Sequence, residues 1–442
     1  MLSIWGSPQR PGCTRLSRRN VLKIGALAGT GLALPDLLRL RSQAAERSGS
    51  RAKPRAAILV FLAGGPSHIE SFDPKPQAPI DIRGPFNPIS TKIPGVSIAE
   101  TMPELAAIAD RFSLVRSCAH ENSGHGGGQR FVQTGYKSAS AEDELPHDYP
   151  ALGSIVSKVR GPVSGGLPTY IHLPNGNDGG AKFLGNAYDA FEVYSTGRPV
   201  GLEMSPQLKL SRLDDRVHLR EALDRWQRTP ELQKKMESLD LLQQQALQVL
   251  SSPAAQKAFD MNLETPQTRA RYGDNEFGKC CLLARRFIEA GAGIVSVRIG
   301  SWDHHGNAGG TVESGVRDNN VPLDRALAAL ISDLHERGLS DDVLLWCWGE
   351  FGRTPKINNL AGRDHWPQAM SVLMSGGGLK SGVVVGATNY KGEYPIERAL
   401  SPTDVLATVY RQLGIDTERQ FLNTAGRPIS ILDQGEPIAE LL

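Results

Sequence analysis

Val343-Leu-Leu-Trp-Cys-Trp-Gly-Glu-Phe-Gly-Arg-Thr-Pro355, with Gly362-Arg-Asp-His-Trp366 close behind it, is the stretch that decides the fold. Its apolar half reads as a strand buried on both faces, the pattern of a parallel sheet covered by helices. The run stops at Gly349, and a carboxylate (Glu350) and an arginine (Arg353) follow at once. Asp364 and His365 stand side by side a few residues on. In an open α/β sheet, polar groups at the carboxyl ends of strands line the crevice where ligands bind.

Other apolar runs end in the same way. Arg55-Ala-Ala-Ile-Leu-Val-Phe-Leu-Ala63 runs into Gly64-Gly65, with His68 and Asp73 in the loop beyond. Phe112–Cys118 is followed by His120, Ser123 and His125, which open a glycine-rich helix closing at Thr134-Gly135. Leu167–Leu173 is a further strand, and Gly293–Ile299 delivers Asp303 and His305. Ser371–Ser375 adds another strand and Gly382–Gly386 a short return. Helical periods fall at Met102–Arg111, Tyr149–Val159, Phe277–Ala290, Leu323–Arg337 and Thr403–Leu413, while residues 77–100 read as irregular. Strands alternating with helices predict a layered α/β fold with a mostly parallel sheet. Residues 205–270, charged and glutamine-rich without a sustained heptad, read as a helical insertion.

The N-terminus has its own logic. Arg18-Arg19 precede a short apolar run, Ile24–Leu34, and a small-residue site near Ala44. This is the layout of a secretory signal of the twin-arginine type over residues 1–44, with a linker at 45–54 and the folded domain from 55 to 442. The run is too short and too glycine-rich to span a membrane, so no stable span is expected once the signal is removed. Export to the periplasm or the medium follows. Lys+Arg 49 against Asp+Glu 47 gives a net charge of +2, which excludes a bulk electrostatic attraction to nucleic acid. Cys13, Cys118, Cys280, Cys281 and Cys347 show no zinc or CxxC spacing, and those in apolar runs are expected as buried free thiols.

Histidine and carboxylate together suit zinc, manganese or iron, and paired metals are a common device for cleaving phosphate esters. Any one pair is weak evidence, since an Asp-His dipeptide is more often a hydrogen-bonded loop pair. The recurrence of such groups at successive strand ends is what points to a site.

Gly64-Gly-Pro-Ser-His-Ile-Glu-Ser-Phe-Asp-Pro-Lys-Pro76, Trp302-Asp-His-His-Gly-Asn307, Gly349–Pro355 and Gly362-Arg-Asp-His-Trp-Pro367 resemble the domain of unknown function family 1501. That family is placed in the alkaline phosphatase/sulfatase superfamily, and the resemblance runs from about residue 55 to the C-terminus. It implies an alkaline phosphatase-like three-layer α/β sandwich. It also implies Asp303, His305 and His365 as ligands of a divalent metal, zinc or manganese, with one or two ions bound. Glu350 stands where the superfamily carries an Asp-His pair, with Phe351 replacing the histidine. The first-strand aspartate falls at Ala63, and His68 or Asp73 is the substitute to consider. Asp364 completes the candidate ligands. His125 falls at the nucleophile position and Ser123 lies two residues away.

Three readings of His125 stay open: a phosphohistidine nucleophile, a metal ligand, or a remnant of a decayed second metal site. Arg353 is expected to pair with the substrate oxyanion. The expected activity is exported, metal-dependent hydrolysis of phosphate or sulfate esters, on a small-molecule or polysaccharide anionic ester. A non-catalytic protein using the same crevice for an anionic ligand is the competing class.

Overall fold

In the computed structural model, residues 56–137, 148–163, 165–174, 179–201 and 230–442 are described. The signal, the linker and the first part of the expected insertion lie outside the described residues.

The apolar runs do form the sheet. In chain order its strands are β1 (Ala56–Leu62), β2 (Ser113–Cys118), β3 (Tyr170–Leu173), β4 (Phe191–Glu192), β5 (Ile294–Ile299), β6 (Val343–Trp348), β7 (Met370–Gly376) and β8 (Val384–Val385). They lie side by side as β8-β2-β7-β6-β1-β5-β3-β4. All run in one direction except β7, which is antiparallel to both β2 and β6.

Each central strand divides its side chains between two cores, as the two-residue period requires. Ile58, Val60 and Leu62 of β1 join Val343, Leu345 and Cys347 of β6 on one face. Ala57 and Phe61 join Leu344, Trp346 and Trp348 on the other. Helices α1 (His125–Thr134), α2 (Leu152–Arg160), α3 (Glu276–Glu289), α4 (Val312–Glu336) and α5 (Pro402–Leu413) cover the sheet. The apolar sides of α3 and α4 complete the first core, and those of α2 and α5 the second. The fold is therefore a helix–sheet–helix sandwich with a mostly parallel sheet. Cys118, Cys280, Cys281 and Cys347 are free and buried, and burial pushes the Cys281 thiol up to about 12. No helix among the described residues is long and apolar enough to cross a membrane.

Two details differ from the sequence reading. Helix α4 begins at Val312, well before Leu323, and runs through Pro322. Proline discourages a helix interior because it lacks an N–H and crowds the preceding turn. Here a Thr311/Ser314 capping box starts the helix. Buried Asn320 then anchors the segment, donating to Glu70 O and Thr101 Oγ1 and accepting from Trp302 Nε1. The stretch expected to be irregular before residue 100 contains a short helix (Ile80–Arg83) and a two-stranded ribbon, Pro88–Ser90 against Ser97–Ala99. Within the expected insertion, residues from 230 on form helices Pro230–Ser251, Pro253–Phe259 and Pro266–Tyr272.

Candidate metal centre

Strand direction brings the polar groups together. β1, β2, β5 and β6 all end at the same edge of the sheet, so the loops after Leu62, Cys118, Ile299 and Trp348 converge. The reversed strand β7 starts at that edge, so His365, just upstream of it, arrives there as well. His365 and Trp366 pair antiparallel with Gly352 and Arg353, which fixes His365 across from Arg353. The loops approach closely at two glycines. A Cβ on Gly64 (φ +103°) would lie 2.8 Å from the Asp303 nitrogen, and one on Gly128 would lie 3.3 Å from Glu350 Cβ.

His125, Asp303, His305 and His365 each offer one ligand atom, and these atoms all lie within 4.8 Å of one another. Asp303 Oδ1 is the hub, 3.1 Å from His125 Nε2, 2.9 Å from His305 Nε2 and 3.2 Å from His365 Nε2. The outer nitrogen of every ring faces an acceptor. His305 Nδ1 donates to Asp364 Oδ1 at 2.9 Å, His365 Nδ1 to the Ser123 carbonyl at 2.6 Å, and His125 Nδ1 to Glu350 Oε1 at 2.8 Å. A carbonyl only accepts, so the Nδ1 of His365 carries its proton, and the neutral ring then presents a lone pair inward. The Nε2 atoms of His305 and His365 meet at 3.0 Å, where two lone pairs repel unless a cation or a proton lies between them. Imidazoles held by outer acceptors with their other nitrogens converging are the arrangement of a metal ligand set. Three imidazoles and one carboxylate fit a divalent ion such as zinc.

Glu350 is fully buried and orients rather than joins this group. Its Oε1 accepts from His125 Nδ1, from the Gly64 amide at 2.9 Å and from Gln129 Nε2 at 3.2 Å. Phe351 lies where a histidine was expected and packs its ring 4.4 Å from that of His365 and 5.2 Å from that of His125. It forms an apolar wall to the centre. Asp364 likewise acts on His305 from outside, and its hydrogen bond to that ring holds its own carboxyl below the usual range.

The expectation for Arg353 is corrected. Its guanidinium is 2% exposed, and all five of its N–H groups have acceptors inside the protein. Nε donates to Gly65 O at 2.9 Å. Nη1 donates to Arg363 O at 2.9 Å and to His305 Nε2 at 3.3 Å. Nη2 donates to Gly64 O and, at 2.5 Å, to Asp303 Oδ1. All five donors are used within the protein, and only the Nη1–H on His305 Nε2 would be released if that nitrogen held a metal. Arg353 is a built-in counter-charge to Asp303. Burial alone would raise the Asp303 carboxyl, but hydrogen bonds from His125, His365 and Arg353 outweigh it and hold the group well below the carboxylate range.

His68 and Asp73 stay outside the centre. His68 is buried with Nε2 on the Gly392 carbonyl at 2.8 Å, and Asp73 is held by Thr388 at 2.5 Å and Lys75 at 3.0 Å. The loop after β1 turns both inward to brace the Pro395–Glu397 ribbon and its neighbours, so they replace no first-strand ligand. Ser123 enters through its carbonyl; its hydroxyl has no hydrogen bond among the described residues. The sequence reading passed over Gln129, which bridges Glu350 and Arg298, and the buried Glu70–Arg363 ion pair that anchors the loop carrying Asp364. Glu70 and Arg363 both lie in the motifs quoted above, but their pairing spans 293 residues and has no local signal.

Hydrogen bonds to Asp303 and then Glu350 raise the His125 imidazole to about 9, against the opposing effect of burial. Its folded value exceeds the ordinary 6.5, so without metal its contribution to stability is complete below about pH 6.5. That contribution is lost as pH rises through about 9. The melting temperature of chelator-treated protein is therefore expected to fall between these limits, and His125→Gln is expected to flatten the slope. An unchanged slope in the variant would show that another group titrates there.

A model of the family described as protein of unknown function (DUF1501) matches residues 54–442. Among curated protein sequences, none is significantly similar to this chain. Solved structures that align with it include the PsFucS1 sulfatase from Pseudoalteromonas sp., at 11% identity over 86% of this chain and 70% of that one, with a TM-score of 0.38. The phosphonate monoester hydrolase of Agrobacterium radiobacter aligns at 13% identity over 88% and 78% of the two chains, with a TM-score of 0.35. The zinc complex of the C-terminal periplasmic domain of EcEptC from Escherichia coli aligns at 12% identity over 86% and 94%, also at 0.35. Scores of this size carry no argument of their own, and the fold stands on the strand order described above.

Proposed function

We propose, for a chain that belongs to the DUF1501 family, that the centre binds a divalent metal ion and hydrolyses phosphate or sulfate esters. The observation that carries this reading is the convergence of the His305 and His365 Nε2 atoms on Asp303 Oδ1, each ring locked from behind by an acceptor. Asp303, His305, His365 and His125 would hold the ion, with zinc favoured by the nitrogen-rich set. Bound there, the ion supplies Lewis-acid stabilisation of charge developing on the ester oxygens.

The chain's own residues do the rest. Asp364 and the Ser123 carbonyl each take the Nδ1 side of their ring, so that the Nε2 atoms of His305 and His365 face inward. Glu350, itself fixed by the Gly64 amide and Gln129, sets the orientation of His125. Arg353 keeps Asp303 ionised without leaving its place. Phe351 excludes water from one side, which strengthens the electrostatics of the centre. Arg353 is paired with Asp303, while the Glu350 and Asp364 carboxylates face His125 and His305, so a dication held by the rings would add to the positive charge that offsets them. Export by the twin-arginine route is supported by the residue 1–44 pattern alone.

The test is metal analysis of the purified protein together with turnover of 4-nitrophenyl phosphate and 4-nitrophenyl sulfate. Stoichiometric metal, turnover of one ester, loss with chelator and recovery with zinc or manganese are expected. Stoichiometric metal with turnover of neither ester would leave a non-catalytic anion-binding protein as the better reading.

A further inference from the structure

An open cleft of about 540 Å³ adjoins the centre at Asp303 and runs along the first turns of α4. Its walls are hydroxyl, amide and backbone groups, from Ser301, Ser314, Asn319 and the Gly309-Gly310 turn, with one further carboxylate, Asp318. Among the described residues, no lysine, arginine, aliphatic or aromatic hydrocarbon side chain lines it. The histidine in the wall, His304, accepts at Nε2 from the Asn319 amide at 3.2 Å, and that amide is oriented by its second bond, 2.7 Å to Ser301 O. The Asp318 carboxylate is exposed and makes no hydrogen bond or ion pair among the described residues.

Resting on the hydrolase reading above, we propose that this cleft seats the alcohol side of the ester, and that this part is an uncharged polyol or sugar. The lining explains each element of that choice. Neutral hydrogen-bonding groups outnumber the carboxylate, which suits hydroxyls. A lipid-like alcohol would find no apolar wall. A second phosphate or sulfate would meet Asp318 with no cation to offset it, so polyanionic substrates are disfavoured. Asp318 accepts from a substrate hydroxyl and acts as a specificity determinant.

The experiment compares the zinc-loaded wild-type protein with Asp318→Asn and Asp318→Lys. Glucose 6-phosphate, fructose 1,6-bisphosphate and 4-nitrophenyl phosphate serve as substrates, and the 6-sulfate of glucose replaces the first if only sulfates turn over. Asp318 is exposed, so both variants are expected to fold. In Asp318→Asn, the kcat/KM ratio of the glucose ester to the nitrophenyl ester falls about tenfold, through KM, as loss of a charge-assisted hydrogen bond requires. In Asp318→Lys, the ratio of the bisphosphate to the monophosphate rises by about the same factor. Unchanged ratios, or a wild-type preference for the bisphosphate, would overturn the proposal. If no ester is turned over, the hydrolase reading fails and calorimetric binding of glucose 6-phosphate decides the cleft separately. A dissociation constant about tenfold weaker in Asp318→Asn supports the proposal. Absent binding, or binding that ignores the substitution, overturns it.

Discussion

Replacing Asp303 or His365 with alanine is expected to abolish tight binding of zinc or manganese. Each contributes a ligand atom to a group spanning no more than 4.8 Å, and Asp303 Oδ1 is the atom that all three rings address. In the wild-type protein, metal at a hundred times its dissociation constant should stabilise the fold by about 2.7 kcal/mol, because the ion binds only the folded state. Both variants should lose that gain along with the bound metal. Asp364→Ala removes the acceptor behind His305, and a weakening of about 10–100-fold is expected. His68→Gln should leave affinity unchanged, since the His68 ring is bonded to Gly392 instead. Elemental analysis after gel filtration, with melting curves at graded zinc concentrations, reads out the whole series. Full metal content in both alanine variants would refute the assignment.

Arg353→Met is expected to have the largest effect on folding. The side chain is 2% exposed and ties together the loop after β1, the Asp303 loop, His305 and Arg363. Methionine keeps much of the volume but leaves three carbonyls and the Asp303 carboxylate without their donor. Each buried carbonyl left without its donor lowers stability by about 1–3 kcal/mol. Lysine is not a rescue, because its single ammonium cannot reproduce five N–H groups in a planar fork. Urea unfolding at saturating zinc separates the two roles considered for this residue. A buried counter-charge predicts a large fall in the unfolding midpoint. An oxyanion clamp predicts an unchanged midpoint and a raised KM for ester, and that outcome would restore the sequence-based reading.

Much of the candidate centre was legible before any coordinates. Asp303, His305, His365 and His125 each follow or precede an apolar run, and a run of that kind must become a buried strand whose end opens at the sheet edge. What misled the sequence reading was proximity along the chain. His68 and Asp73 stand just after β1, where a ligand was wanted, but the loop folds inward and uses both as braces. Arg353 stands three residues after Glu350 at a strand end and looked free to meet an anion. Its availability depends on how many acceptors surround it, and four of the five belong to Gly64, Gly65, Asp303 and His305, 48 to 289 residues away. Pro322 disfavours a helix interior locally, and the anchoring of Asn320 across the core carries α4 through it.

Glu350, in the stretch that decides the fold, shows the division most clearly. The sequence alone determined that a fully apolar strand, Val343–Trp348, delivers this carboxylate to the binding edge of a mostly parallel sheet, because burial on both faces is written in six consecutive residues. Which groups it meets was decided by tertiary structure. Glu350 meets His125 across 225 residues, and His365 meets the Ser123 carbonyl across 242. Those outer contacts choose which nitrogen of each ring keeps its proton, and thereby turn the other toward a shared point. Hydrogen-bond partners at such separations leave no local pattern, so the ring orientations that distinguish a metal centre from scattered polar residues exist only once the chain has folded.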